Sequence, residues 1–443
     1  MGRAGVLAAL LSTTLCMPQA MADSATDNTE ARIAELERQV KMLTQMLQAQ
    51  QQTIQVTTER LDVAGEQIAV TESVADKDLV GKSGTKISYG GFIKLDAIYS
   101  DYTGGKPTST AIEDFFVTPD IPVGGPESAR YTSTSMTAGT TRFYFASDTD
   151  ADVGNVSTLI EMDFTVSDQG NERISNSWAN RLRHALVKWN YDNNKSILAG
   201  QYWSTFQNES VLPAHVDIGA PVGSIFVRQA QLRWELGNFM LAAENSRTVL
   251  NGMTTDDLAD GLPDLVVRYN NRVGDLSWST AGILRSLTFD DGLGGNDQAY
   301  GYGLSLAGKW TLPASDVRFM LNYGDALGRY MGLNAFNDGY VNNQGQIATF
   351  DQMGGFIAYR QALSDRWEAA FTLAVALADN PEAQDYAGAA DLARRYQTGH
   401  LNLKYSATDA LSFAGELIYG EKELEGGLDG EVTRLLMSVK YGL

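Results

Sequence analysis

From Ile87 to the last residue the chain alternates apolar and polar side chains with a period of two. In the first such run Tyr89, Ile93, Leu95 and Tyr99 share one face, while Lys94 and Asp96 share the other. About sixteen runs of roughly ten residues repeat this alternation, the signature of transmembrane β-strands. They begin near residues 86, 140, 155, 180, 196, 225, 238, 264, 275, 298, 316, 353, 366, 396, 410 and 431. Short gaps rich in Asn, Asp, Gly, Pro and Ser, such as 150–154, 192–195 and 311–315, alternate with long ones, such as 102–139, 204–224 and 324–353. Tight turns favour those residues. Aromatic side chains cluster near the ends of the runs, among them Tyr99, Trp189, Trp310, Trp367 and Tyr441. The pattern predicts an all-β fold: a 16-stranded antiparallel transmembrane β-barrel spanning 86–443, with an interfacial aromatic girdle. A soluble sandwich or propeller is the competing reading.

Residues 30–70 follow another period. Ile33, Val40, Leu47, Ile54, Leu61 and Ile68 stand seven apart, with Leu36 and Leu43 three residues on. Those a/d heptads predict an N-terminal α-helical coiled coil, parallel and oligomeric, of unspecified strand number. At 1.5 Å per residue it extends about 60 Å. Further upstream, Arg3, the apolar stretch Gly5–Cys16 and Ala20-Met21-Ala22 read as a secretory signal. The predicted organisation is a signal peptide over 1–22, a periplasmic coiled coil over 23–74, a polar linker over 75–85 and the barrel over 86–443.

The formal charge is −20, which argues against nucleic acid as a partner of the whole chain. The single cysteine, Cys16, lies within the signal, so disulfide and thiol chemistry are excluded from the mature chain. After the signal no run of apolar residues is long enough for a transmembrane helix; a closed barrel crosses lipid without one. Enzyme motifs are lacking. His184, His215 and His400 stand on separate elements without metal-ligand spacing, and no Gly-x-Ser-x-Gly elbow occurs. Residues 303–309 resemble a phosphate loop, but Trp310 replaces the metal-binding hydroxyl and no helix follows. No enzyme activity, cofactor or metal is expected.

The alternating charges must face a watery lumen, because Arg or Lys at the bilayer midplane costs about 2–4 kcal/mol. The segment 204–224 is too apolar for a solvated loop and too long for a connection in a compact fold; it is expected to fold into the lumen as a constriction. Its Val211, Leu212, Val216 and Ile218 are expected to pin it to the wall. Lys94, Arg181, Arg183, Glu209, Arg228, Arg233, Arg268 and Arg318 are the candidate pore-lining residues. Guanidinium forks suit carboxylate or phosphate, and basic rings favour anions. The opposing reading is that the arginines only neutralise wall carboxylates such as Glu161 and Asp163. Parity sets a constraint: on unbulged strands Arg228 and Arg233 cannot both face inward, and Arg181 and Arg183 would share a face with Val187 and Trp189.

Nearly the whole mature chain resembles the DcaP-like trimeric outer-membrane porins, linked to dicarboxylate and related anionic solutes. The resemblance is carried by the heptads, by 89–94, 161–164 and 181–185, and most specifically by 199–206, 228–233 and 323–330. It implies a homotrimer in outer-membrane lipid, small anionic solutes as cargo, a third extracellular loop as constriction, and a periplasmic coiled coil open to an envelope partner. The chain departs from the pattern at its end, which reads Lys440-Tyr441-Gly442-Leu443 where such barrels finish on Phe. The alternative reading is a barrel that serves as anchor for a coiled-coil tether, or a general porin without anion preference.

Overall fold

A computed structural model describes residues 79–80, 84–109, 111–125, 128–165, 178–253, 258–259, 261–290 and 295–443. The signal, the heptads and most of the linker lie outside the described residues. Among the described residues sixteen wall strands run in chain order. They are β1 Lys86–Tyr102, β2 Tyr131–Thr137 continued by Arg142–Ala151, β3 Gly154–Asp163, β4 Arg181–Asp192, β5 Lys195–Trp203, β6 Arg228–Leu236, β7 Phe239–Glu244 and β8 Asp264–Val273. The second half comprises β9 Leu276–Asp290, β10 Asn296–Thr311, β11 Ser315–Asp325, β12 Asp351–Ala362, β13 Trp367–Ala378, β14 Ala393–Ser406, β15 Leu411–Leu424 and β16 Asp429–Gly442. Each pairs antiparallel with its neighbours, and β1 pairs with β16 from Phe92↔Gly442 to Tyr102↔Val432, so the sheet closes. Closure satisfies every ladder group without an exposed edge, which hydrocarbon requires.

The alternation sorts the wall as expected. Ile93, Leu95, Leu232, Leu284, Leu304, Leu321, Leu373, Leu401 and Met437 point outward and are at least two-fifths exposed. Tyr89, Trp189, Trp310, Trp367 and Tyr441 flank this band near the turn ends; Tyr99, Tyr302, Tyr323 and Tyr419 flank it near the loop ends. Such apolar area fits a lipid surround, where it is not in water at all. Inward, Lys94 faces Lys440, Arg142 faces Asp163 and Lys309 faces Arg318 across the ladders.

Two departures have physical causes. The first part of β2 reads Tyr-Thr-Ser-Thr-Ser-Met-Thr, with no apolar face to betray it, so the sequence places it inside a long gap. In β4 a bulge sets Leu182 opposite Met162 and His184 opposite Glu161, leaving Arg183 as the extra residue. The bulge resets the alternation. Arg181 therefore faces the lumen even though Val187 and Trp189 face outward, which removes the parity conflict there. The carbonyls of Leu182 and Arg183 accept from Gln201 Nε2, each at 3.1 Å.

An outward charge in the apolar band tests this architecture. Leu304→Arg is expected to cost about 2–4 kcal/mol of folding stability in lipid, the range for a mid-bilayer guanidinium. Ser305→Arg, facing the lumen side, should cost less than the outward change. A reversible unfolding titration in vesicles compares the two, and equal losses would contradict the assigned faces.

Candidate functional site

The segment between β5 and β6 lies along the inner wall, hydrogen-bonded to strand after strand. At its entry Glu244 accepts from Ser204 Oγ at 2.7 Å and from Thr205 N at 2.6 Å. Arg268 on β8 donates to the carbonyls of Thr205 and Gln207, and Asn208 donates to Ser279 on β9 at 2.8 Å. The short helix Glu209–Val211 is capped by Asn208, which accepts from Ser210 N. Arg318 on β11 then donates to Leu212 O, and Asn402 on β14 donates to Ala214 O at 2.8 Å. At the tip Glu416 on β15 accepts from Val216 N and Asp217 N at 2.8 and 2.7 Å, while Lys94 on β1 donates to Val216 O at 2.8 Å. Asn322 holds Gly223 O at 2.7 Å. Gly223 has φ +78°, and a Cβ there would overlap Val375 O, so glycine is what lets the loop lie so close to β13.

The apolar pins differ from expectation. Val211 is fully buried, with Phe206, Val222 and Ile225 beside it in one cluster. Leu212, Val216 and Ile218 are only partly buried, and Leu212 and Val216 meet the wall through their backbone. Two further segments also fold inward, neither legible in the sequence. Between β11 and β12, Leu327, Tyr330 and Met331 join the same cluster, and Phe226 N donates to Tyr330 O at 3.0 Å. Tyr330 Oη also donates to Asp264 at 2.6 Å, and Arg285 bridges Asp264 and Asp338 in full burial. Between β1 and β2, Ile112, Phe116 and Ile121 pack against Tyr102, Ile418 and Val432. Asp217 of the constriction segment accepts from Phe116 N at 2.9 Å, joining the two loops.

The histidines also combine differently. His215 on the loop tip stacks on His400 of β14 with ring centroids 4.0 Å apart, and His400 Nδ1 lies 3.0 Å from Glu416. Ligand atoms of these three residues fall within 4.8 Å of one another. Ring lone pairs lie in the ring planes, and planes only 12° apart cannot converge on one ion. The arrangement is a latch holding the loop tip to the wall. Burial, then the neighbouring His400, holds His215 down at about 3, so it is neutral at ordinary pH.

The eight candidate residues divide into groups. Arg181 makes a two-pronged pair with Asp163 at 2.9 and 2.8 Å, and Arg183 reaches Glu161 at 2.6 Å and Asp163 at 2.8 Å. Arg233 donates to Trp203 O at 2.6 Å and to Thr205 Oγ1 at 2.8 Å, and is almost wholly buried. Arg268 holds loop carbonyls with Glu209 3.5 Å away; Lys94 and Arg318 hold loop carbonyls and also pair with Asp96 and Asp316. Arg228, first residue of β6, lies over Trp203 at 4.7 Å and pairs with it across the ladder. Arg228 and Arg233 stand on opposite parities of an unbulged strand, as the spacing requires. The inward cations Lys309, Arg360 and Lys404 escaped selection. Their signal was strand parity, since Lys309 sits beside the outward Trp310.

A closed 16-stranded barrel with a charged inner wall and inward loops defines a porin. The family model "DcaP outer membrane protein" matches residues 11–443, and the chain belongs to that family of outer-membrane channels. Its fold is similar to the crystal structure of the outer membrane channel DcaP of Acinetobacter baumannii (17% identity, 83% of this chain and 99% of that one, TM-score 0.69). It is similar at lower level to an anion-selective porin from Comamonas acidovorans (10% identity, 81% and 100%, TM-score 0.51) and to Salmonella typhi OmpF in complex with daunomycin (9%, 82% and 99%, TM-score 0.50). No curated protein sequence matches it.

Glu416 is the residue whose loss most directly frees the loop. Glu416→Ala strands the amides of Val216 and Asp217 and the His400 ring, at about 1–3 kcal/mol for each donor left buried and unpaired. Single-channel recordings are expected to show larger or noisier conductance than the parent. Unchanged traces would mean that the tip is held elsewhere.

Proposed function

We propose that the chain is a passive diffusion channel for small anionic, dicarboxylate-like organic solutes, driven by the solute gradient. The observation that carries this reading is the turn-side inner wall from β10 round to β1. There Lys309, Arg318, Arg360, Lys404, Lys440 and Lys94 face the lumen against Asp316, Glu368, Asp96 and Glu416. Six cations against four carboxylates leave a net positive wall in a low-dielectric cylinder, although the chain as a whole is acidic. Solute binding in such a path must be weak, because conduction needs a site the solute can leave.

The same reading takes the channel as a homotrimer. The outward face of β2–β6 sets the small Thr134, Thr158, Ala185, Ala199 and Ala230 between bulkier residues such as Phe145, Ile160 and Leu232, leaving gaps into which a neighbouring copy could pack. The heptads over 23–74 are read as a periplasmic clamp or tether with room for an envelope partner.

Two measurements test these readings. Lys309→Gln, Lys404→Gln and Lys440→Gln together should bring the anion-to-cation permeability ratio, taken from planar-bilayer reversal potentials, several-fold towards unity. A parent channel that prefers cations, or a triple variant identical to the parent, would overturn the anion reading. Deleting residues 23–74 should leave conductance per chain unchanged, because 86–443 build the lumen; a lost conductance would place the segment in the pore.

A further inference from the structure

At the loop ends of β3–β6, four guanidiniums gather around two carboxylates. Asp163 closes β3, Arg181 opens β4, Trp203 closes β5 and Arg228 opens β6; Arg142 opens the second part of β2. Both carboxylates are already engaged. Asp163 accepts from Arg181 and Arg183, and Glu161 accepts from Arg183 with Arg142 at 3.7 Å. Among the described residues Arg228 has no carboxylate partner. Its charged neighbours are Arg183, Arg181, Asp163 and Arg142, so it faces mostly like charge. Two positive charges in this cluster therefore lack a counter-charge among the described residues.

The polar atoms show the same deficit. Arg228 Nη1, Arg142 Nε and His184 Nδ1 are buried without a hydrogen-bond partner among the described residues, and the whole His184 residue is only 4% exposed. His184 sits against Tyr202 at 4.8 Å and Trp203 at 5.5 Å, with Arg228, Arg183 and Arg142 as its charged neighbours. Three unmet polar positions from three strands thus converge on one neighbourhood walled by two aromatic rings. A water molecule would satisfy a donor but not the charge. Burying an uncompensated guanidinium is costly, whereas a guanidinium fork on an oxyanion forms a charge-assisted, directional bond.

We propose that this cluster holds one small oxyanion, of the phosphate, sulfate or carboxylate class, between Arg228, Arg142 and His184. The constriction segment leaves the wall at Trp203 and returns at Arg228, and Ser204 N donates to Val227 O at 3.0 Å across that neck. A bound anion would tie both ends of the segment to β2 and β4, acting as a resident counter-ion and not as cargo. The site lies apart from the turn-side wall that carries the permeation reading. Occupancy is read by stoichiometry and selectivity by reversal potential, so either reading can fail without the other.

The test is equilibrium dialysis of the folded full-length protein against labelled inorganic phosphate, at constant ionic strength set with chloride. The expected result is saturable uptake of one phosphate per chain. Arg228→Gln and, separately, Arg142→Gln should each weaken it at least tenfold, while Lys309→Gln in the turn-side vestibule should leave it unchanged. Uptake by the parent that rises without saturation, or saturable uptake weakened by Lys309→Gln and not by the arginine variants, would overturn the proposal. Arg228→Lys keeps the charge and loses the fork, and should bind less tightly than the parent. Because the parent titration alone decides whether the site exists, a variant that fails to fold does not rescue the idea.

Discussion

Everything in this molecule depends on the seam between β1 and β16. Eleven consecutive residue pairs, from Phe92↔Gly442 to Tyr102↔Val432, join the first strand of the wall to the last. Without that pairing two rows of amides and carbonyls would face hydrocarbon, at several kcal/mol for each group left unpaired. With it, the period-two alternation becomes a sorting rule. Ile93, Leu95 and Tyr99 must face lipid, so Lys94, Asp96 and Ser100 must face inward. A charged lumen is therefore a consequence of closure before it is a device for transport.

The charged wall has a second consequence. It supplies side-chain donors and acceptors at intervals around the interior, and a loop folded inward can satisfy its own backbone against them. The constriction segment does so from Arg268 on β8 to Lys94 on β1, with Ser279, Arg318, Asn402 and Glu416 between. Its apolar side chains then meet those of the segment between β11 and β12, and the two segments share a small core within a polar cylinder. Polar anchoring to the wall and apolar packing between loops act on different atoms of the same residues. That is why Leu212 and Val216 hold by backbone while Phe206 and Val211 hold by side chain.

The barrel was legible because closure imposes one pattern on every strand. Expected strand starts such as 264, 275 and 316 fall at 264, 276 and 315. What escaped the sequence escaped for particular reasons. The Thr/Ser-rich start of β2 has no apolar face. The bulge at Arg183 shifts parity by one, which no count of alternating residues registers. His215 and His400 lie far apart in sequence and meet only because the loop tip crosses to β14. The inward course of the segments after β1 and β11 follows from contacts with other loops, and local pattern is silent on those. The candidate arginines were visible by type and spacing; their division into loop-holders and carboxylate partners depended on register.

That division changes how the lumen's charge must be read. A guanidinium bound to a carbonyl keeps its full charge, because the carbonyl contributes only a dipole, whereas Arg233, on Trp203 O, also has Glu235 3.9 Å away. A guanidinium bound to Asp163 is neutralised whatever its exposure. Hydrogen-bond engagement and charge compensation are thus separate quantities, and only the second governs a passing solute. By that measure Arg181 and Arg183, the most conspicuous pair in the sequence, contribute less than Lys309, which stands opposite Arg318 in the ladder. Field strength in this pore is set by where carboxylates are missing, and the turn-side wall and the neighbourhood of Arg228 are the two places where they are.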